Sequence, residues 1–213
     1  MKVSEMKFGV RNPYRILSLK GEDVQEWLTR VSTITLRDKE SCYGAFLNGK
    51  AGVIALAYFQ KTAEGSNIFL DPSKFEVVVN HIDKMLFAED VKFNEVKLEH
   101  SEIFSDAKFE NAHLMLSGSM ATFLFVSLKE TIEDVEWVDK AEFNSRLSER
   151  GLISDSENLG EEYMALNINL DSRIDRNKGC YPGQEVIEKV YTAGKRPKTL
   201  VLCSTNSGEP LYP

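Results

Sequence analysis

Lys178-Gly179-Cys180-Tyr181-Pro182-Gly183-Gln184-Glu185 sets two glycines, a proline, a thiol, an aromatic ring and a Gln-Glu pair in consecutive positions. That mixture suits a shaped turn carrying functional groups better than a packed core. Gly179 and Gly183 are free to take positive φ or to let a ligand approach the backbone, and Pro182 fixes φ between them. In the continuation through Tyr191, Val186, Ile187 and Val190 share one side, and Glu185 and Lys189 stand one helical turn apart. This predicts a short helix, or a strand start with the same inward residues. As a helix it leaves Cys180 just ahead of an N-terminus, where free N–H groups and the positive dipole end favour a thiolate. The other reading of the same residues is an ordinary turn with a half-buried thiol, because a free cysteine generally behaves as a small hydrophobe.

Working outward, the chain alternates strand and helix signals without a repeat. Residues 14–19 read as a strand, and Gly21-Glu22-Asp23 opens a helix carrying Val24, Leu28 and Val31 at helical spacing. Residues 43–47 and 53–59 flank Asn48-Gly49, a strong hairpin signal on a loop longer than two residues. Residues 67–70 continue as a strand. Residues 72–87 read as a helix with Pro near its start and Phe75, Val78, Val79, Ile82, Met85 and Leu86 on one face. Strands follow at 91–98, 114–116 and 122–128, then a helix over 142–150 that stops at Gly151, and a last strand at 200–203 holding Cys203. Consecutive strands with helices packed on one side indicate an α+β fold.

Composition bounds the class. The 213 residues make one large or two small domains, and 42% hydrophobic with 28% charged content fits a soluble globular protein. A chain of that length buries enough surface to need neither disulfide nor metal. The longest apolar run, residues 52–59, is too short to span a membrane, and the first residues lack a signal-peptide pattern. Three scattered cysteines, Cys42, Cys180 and Cys203, point to a reducing compartment, with the cytoplasm as the expected location. Neither these nor the histidines His81, His100 and His113 have metal-site spacing, and nucleotide-binding glycine loops are absent. A net charge of −7 argues against a general nucleic-acid binder. Between Arg173 and Lys198, however, seven basic residues face three acidic ones, a local +4. It reads either as a solvated loop or as a site for an anionic small molecule, with Lys195 and Arg196 as candidate ligands.

The run 178–200 resembles the signature of the YgfZ-type folate-binding proteins, relatives of the glycine-cleavage T-protein (aminomethyltransferase). Lys178, Gly179, Cys180, Tyr181, Gly183, Gln184, Glu185 and Gly194 match that signature residue by residue. Residues 27–35 and Leu47-Asn48-Gly49-Lys50 resemble the same family in pattern only. The resemblance implies an α+β folate-binding fold of ferredoxin-like αβ units over residues 1–198, around a cavity for tetrahydrofolate or a derivative. It also implies a small C-terminal β domain, of which residues 199–213 would be a remnant or a beginning. In the aminomethyltransferases an aspartate on the core strand after the hairpin assists transfer; the matching stretch, residues 52–58, holds no acid, His or Lys. The resemblance therefore implies an accessory role in making or repairing iron–sulfur enzymes, including tRNA-modifying ones, rather than turnover. In that role Cys180 is the reactive group, and Lys178 with the basic stretch favours its thiolate and binds the anionic end of folate. Gln184 and Glu185 orient the motif, and Tyr181 either packs or stacks on the pterin. Its partners are folate and iron–sulfur client proteins, with no direct nucleic acid and no membrane. A one-carbon transferase and an interaction module that has lost its ligand are the alternatives.

Overall fold

Antiparallel pairing joins β2 (Arg15–Lys20) to both β5 (Gly65–Leu70) and β6 (Lys92–Val96), and β5 to β4 (Val53–Thr62). With α1 (Val24–Val31) after β2 and α2 (Phe75–Met85) after β5, the order β6-β2-β5-β4 is the split β-α-β arrangement of a ferredoxin-like unit. The additional strand β3 (Ser41–Leu47) lies at its edge against β4. In this computed structural model, residues 7–105, 113–117, 121–126, 134–150, 159–196 and 198 are described. The strands expected at 200–203 and beyond 126, and the helix stop at Gly151, lie outside them.

Strand alternation divides the sheet into two faces. Leu17, Leu19, Phe46, Ala57, Phe59, Ile68 and Leu70 face Trp27, Leu28, Phe75, Val78 and Ile82 of the two helices. The opposite face presents Ile16, Tyr43, Ala45, Leu56, Tyr58 and Phe69. It is covered by the chain from Leu159 to Tyr191, including α4 (Gln184–Ala193). The expectation of helices on one side thus holds for α1 and α2, while α4 lies on the other face. The predicted helix over 72–87 is shorter than expected. Asp71 accepts hydrogen bonds from the Ser73 N–H and hydroxyl, so Pro72–Lys74 forms a 3-10 turn before α2 begins.

A second sheet runs β10 (Glu136–Trp137), β1 (Phe8–Arg11), β7 (His100–Ser105), β9 (Ala121–Val126) and β8 (His113–Ser117). Its Phe8, Val10 and Phe104 pack on Phe143 and Leu147 of α3 (Lys140–Ser148). The sheets are tied where β1 passes into β2. Asn12 donates its N–H to the His100 carbonyl at 2.8 Å, and the Tyr14 hydroxyl bonds buried Glu102 at 2.5 Å. No helix among the described residues is long and apolar enough to cross a membrane.

Candidate functional site

The hairpin loop between β3 and β4 positions the motif. Asn48 Oδ1 accepts from the N–H groups of Lys50 and Gly52, both at 2.9 Å, and its amide donates to Glu161 at 2.6 Å. Ala51 takes a left-handed φ of 62°, and its carbonyl accepts from the Ala165 N–H at 3.1 Å. Gly183 rests against this loop. A Cβ there would lie 2.7 Å from Ala51 Cα and 2.8 Å from the Asn48 carbonyl oxygen, and its φ is +81°. Close approach and left-handed backbone both demand glycine at 183. Gly183 then caps α4, accepting from the Ile187 N–H at 3.1 Å, while Gly194 at φ +63° ends it.

Three anchors hold the turn ahead of that helix. The Lys178 ammonium donates to the carbonyls of Thr29 and Ser32, at the end of α1 where the helix dipole favours a cation. Burial pulls that ammonium down to about 7. It also lies 4.3 Å from the centre of the Tyr181 ring. Tyr181 is itself buried, with its phenol pushed up to about 12 by burial and its hydroxyl unpaired among the described residues. Thr33, wholly buried, binds the preceding chain to β3. Its hydroxyl donates to the Arg173 carbonyl at 2.9 Å and accepts from the Ala45 N–H at 2.9 Å, and its carbonyl takes the Asp175 N–H at 2.8 Å.

Between the anchors, Gly179 and Cys180 are exposed. A Cβ on Gly179 would meet nothing within 4 Å, so the fold alone makes no demand for glycine there. The helix reading of 184–191 is observed, and the thiol lies on the solvent side just before it. Gln184 is half-buried in the first turn of α4. Glu185 is exposed and pairs with Lys189 at 2.7 Å, which holds its carboxyl below the usual range.

The basic cluster looks different in three dimensions. Arg176 bonds Glu188 through two nitrogens at 2.9 and 2.6 Å and lies 3.9 Å from the Tyr191 ring centre. Arg196 pairs with Asp171 and donates to the Leu166 carbonyl at 3.1 Å, fastening the end of α4 to the 3-10 turns at Ala165–Ile168 and Asp171–Arg173. Lys195 extends into solvent. Much of the local charge is thus internally balanced; both candidate cations are exposed, and of the two Arg196 is the one tied to Asp171. Sequence reading missed Thr33, Asn48 as the organiser of the loop, and Arg173. Thr33 is revealed only by its bond to Arg173, far away in sequence, and Asn48 by the side-chain bonds that close its own loop.

The face of β4 beneath the motif segment carries Val53, Leu56 and Tyr58, with no carboxylate. No family model matches the sequence, and no curated protein matches it. Among solved structures, the chain is similar to the glycine cleavage system aminomethyltransferase T from Bartonella henselae, with a TM-score of 0.69. The fold is T-protein-like. Identity over that match is 14%, and it covers 88% of this chain and 64% of the other. The chain therefore spans less than two thirds of that protein's length. The α+β architecture of the T-protein-like fold agrees with the expectation from the sequence.

Proposed function

We propose that this protein is a folate-binding accessory factor of the YgfZ type, supporting assembly or repair of iron–sulfur enzymes through Cys180 rather than transferring a one-carbon unit. The observation that carries the reading is an exposed thiol on a turn fixed from both sides, by Lys178 at the end of α1 with the buried Tyr181 ring beside its ammonium, and by Gly183 against the hairpin loop. A thiol presented in this way is available to a client protein or to an oxidant without unfolding. The T-protein-like fold and the motif support tetrahydrofolate as the ligand. The residues of the turn fit such a ring-bearing ligand. The Tyr181 hydroxyl lacks a partner among the described residues, and the backbone at Gly179 opens onto free space. Lys195 would meet the ligand's carboxylates. Transferase chemistry is disfavoured because the β4 face offers no acid to orient a folate amine or to offset its developing charge.

Calorimetric titration of the chain with 5-formyltetrahydrofolate tests the ligand. Micromolar binding weakened by Lys195→Glu supports it, and no heat at millimolar ligand rejects it. Complementation tests the thiol. In a strain lacking the gene, restored iron–sulfur enzyme activity with wild type but not with Cys180→Ala is expected, and equal rescue by both would remove the thiol from the function.

A further inference from the structure

A cleft of about 770 Å³ opens between β3 and the chain at 172–177. Its walls include Lys39, Cys42, Tyr43, Ser172, Arg173 and Asp175. The volume is that of a small-molecule site. Its charge is lopsided. Lys39, Arg173 and Lys178 all act on the Cys42 thiol, against Asp175 as the acid. Arg176, also on the wall, is already taken by Glu188.

Arg173 is the decisive residue. Half-buried Arg15 and Arg146 each hold a carboxylate, as does exposed Arg196. Arg173 is half-buried too, yet no carboxylate lies within ion-pair distance of its guanidinium among the described residues. What the guanidinium has is the Tyr43 ring, 5.5 Å from its centre. Its backbone is fixed at both ends, by the Arg173 N–H to the Leu170 carbonyl at 2.8 Å and by the Thr33 hydroxyl on its own carbonyl. Burial without a counter-charge lowers its pKa. A desolvated cation without an anion is costly, and a bound anion offsets that cost. The guanidinium fork also matches a carboxylate or phosphate in two-point contact.

We propose that this cleft binds a small molecule through an oxyanion, a carboxylate or a phosphate, seated between Arg173 and Lys39. The hydroxyl of Ser172 and the carboxylate of Asp175 on the same wall suit a polar ligand that also carries hydrogen-bond donors. The inference stands whether or not folate binds at the motif.

The test uses the full chain with Cys180→Ser and Cys203→Ser, leaving Cys42 as the sole thiol. Calorimetry with inorganic phosphate and with succinate, at constant ionic strength, is paired with the rate of Cys42 alkylation by iodoacetamide. Saturable binding is expected for at least one anion, with matching protection of Cys42, and the tighter of the two identifies the oxyanion class. Arg173→Met is expected to weaken binding about tenfold or more, the loss of a charged hydrogen bond. Lys39→Met, at an exposed position that does not threaten folding, is expected to weaken it as well, while Lys92→Met outside the cleft leaves it unchanged. Absence of binding and protection with both anions at tens of millimolar overturns the proposal. So does wild-type affinity in both Arg173→Met and Lys39→Met.

Discussion

Replacing Gly183 by alanine attacks the motif where it meets the hairpin. The new Cβ would lie 2.7 Å from Ala51 Cα, 2.8 Å from Ala51 N and 2.8 Å from the Asn48 carbonyl oxygen. All three are backbone atoms of a loop held by Asn48, so no side chain can rotate away. Overpacking of that kind costs about 1–3 kcal/mol. The left-handed φ of +81° adds about 1–2 kcal/mol for a residue with a Cβ. Together Gly183→Ala is expected to lose about 2–5 kcal/mol, a large share of the roughly 5–15 kcal/mol of a typical domain. Gly179→Ala is the matched control. Its Cβ meets nothing within 4 Å and its φ is not positive, so its effect stays within about ±0.5 kcal/mol. Urea unfolding followed by fluorescence reads both, since Trp27 of α1 is wholly buried against the sheet. Equal midpoints for the two variants would refute the assignment of Gly183 as a steric hinge-point and of Gly179 as free of structural duty.

Lys178→Met should flatten the pH dependence of stability. The folded ammonium titrates at about 7 against 10.5 in the unfolded chain, so between those values the unfolded state binds more protons and wild-type stability rises with pH. From about pH 6 to about pH 9 the gain is about 2–3 kcal/mol relative to the methionine variant by linkage. Parallel pH profiles of the two proteins in urea melts would contradict it. Thr33→Val keeps the shape of the side chain and removes the hydroxyl that links Arg173 to Ala45. A loss of about 1–3 kcal/mol is expected from the buried N–H and carbonyl left unpaired, with faster amide exchange at Ala45; an unchanged exchange rate would count against the link.

Elements with regular patterns were legible in the sequence, and those built on polar cores were not. The hairpin around Asn48 was readable from turn chemistry, and α4 from the spacing of Val186, Ile187 and Val190. Strand β7 was missed because Glu102, 1% exposed, points into the protein toward Tyr14. Alternation arguments treat a glutamate as an outward residue. Strand β1 is four residues long and lies beside β10 in parallel, a pairing that leaves no local signal. The basic stretch shows the same limit in electrostatics. Counting charges along the chain gives an anion site, but Glu188 and Asp171 neutralise Arg176 and Arg196 through contacts that a linear sum does not see. Arg173, a cation with no carboxylate in ion-pair distance among the described residues, is hidden for the complementary reason. Its wall partners Lys39 and Cys42 come from the edge strand β3 and the loop before it, far away in the chain.

The motif therefore divides into two sets of residues that the sequence presents as one. Lys178, Tyr181 and Gly183 point inward and are held by carbonyls, by packing and by a steric fit. Gly179 and Cys180 point outward and contribute nothing visible to stability. If the turn existed only to connect the 3-10 segment to α4, the inward set would suffice, and a polar residue would serve as well as a cysteine at an exposed position. A stable Cys180→Ala protein with an unchanged melting curve, placed beside its failure in complementation, would separate the thiol's chemistry from the fold that presents it. Loss of stability in that variant would instead assign Cys180 to the structure.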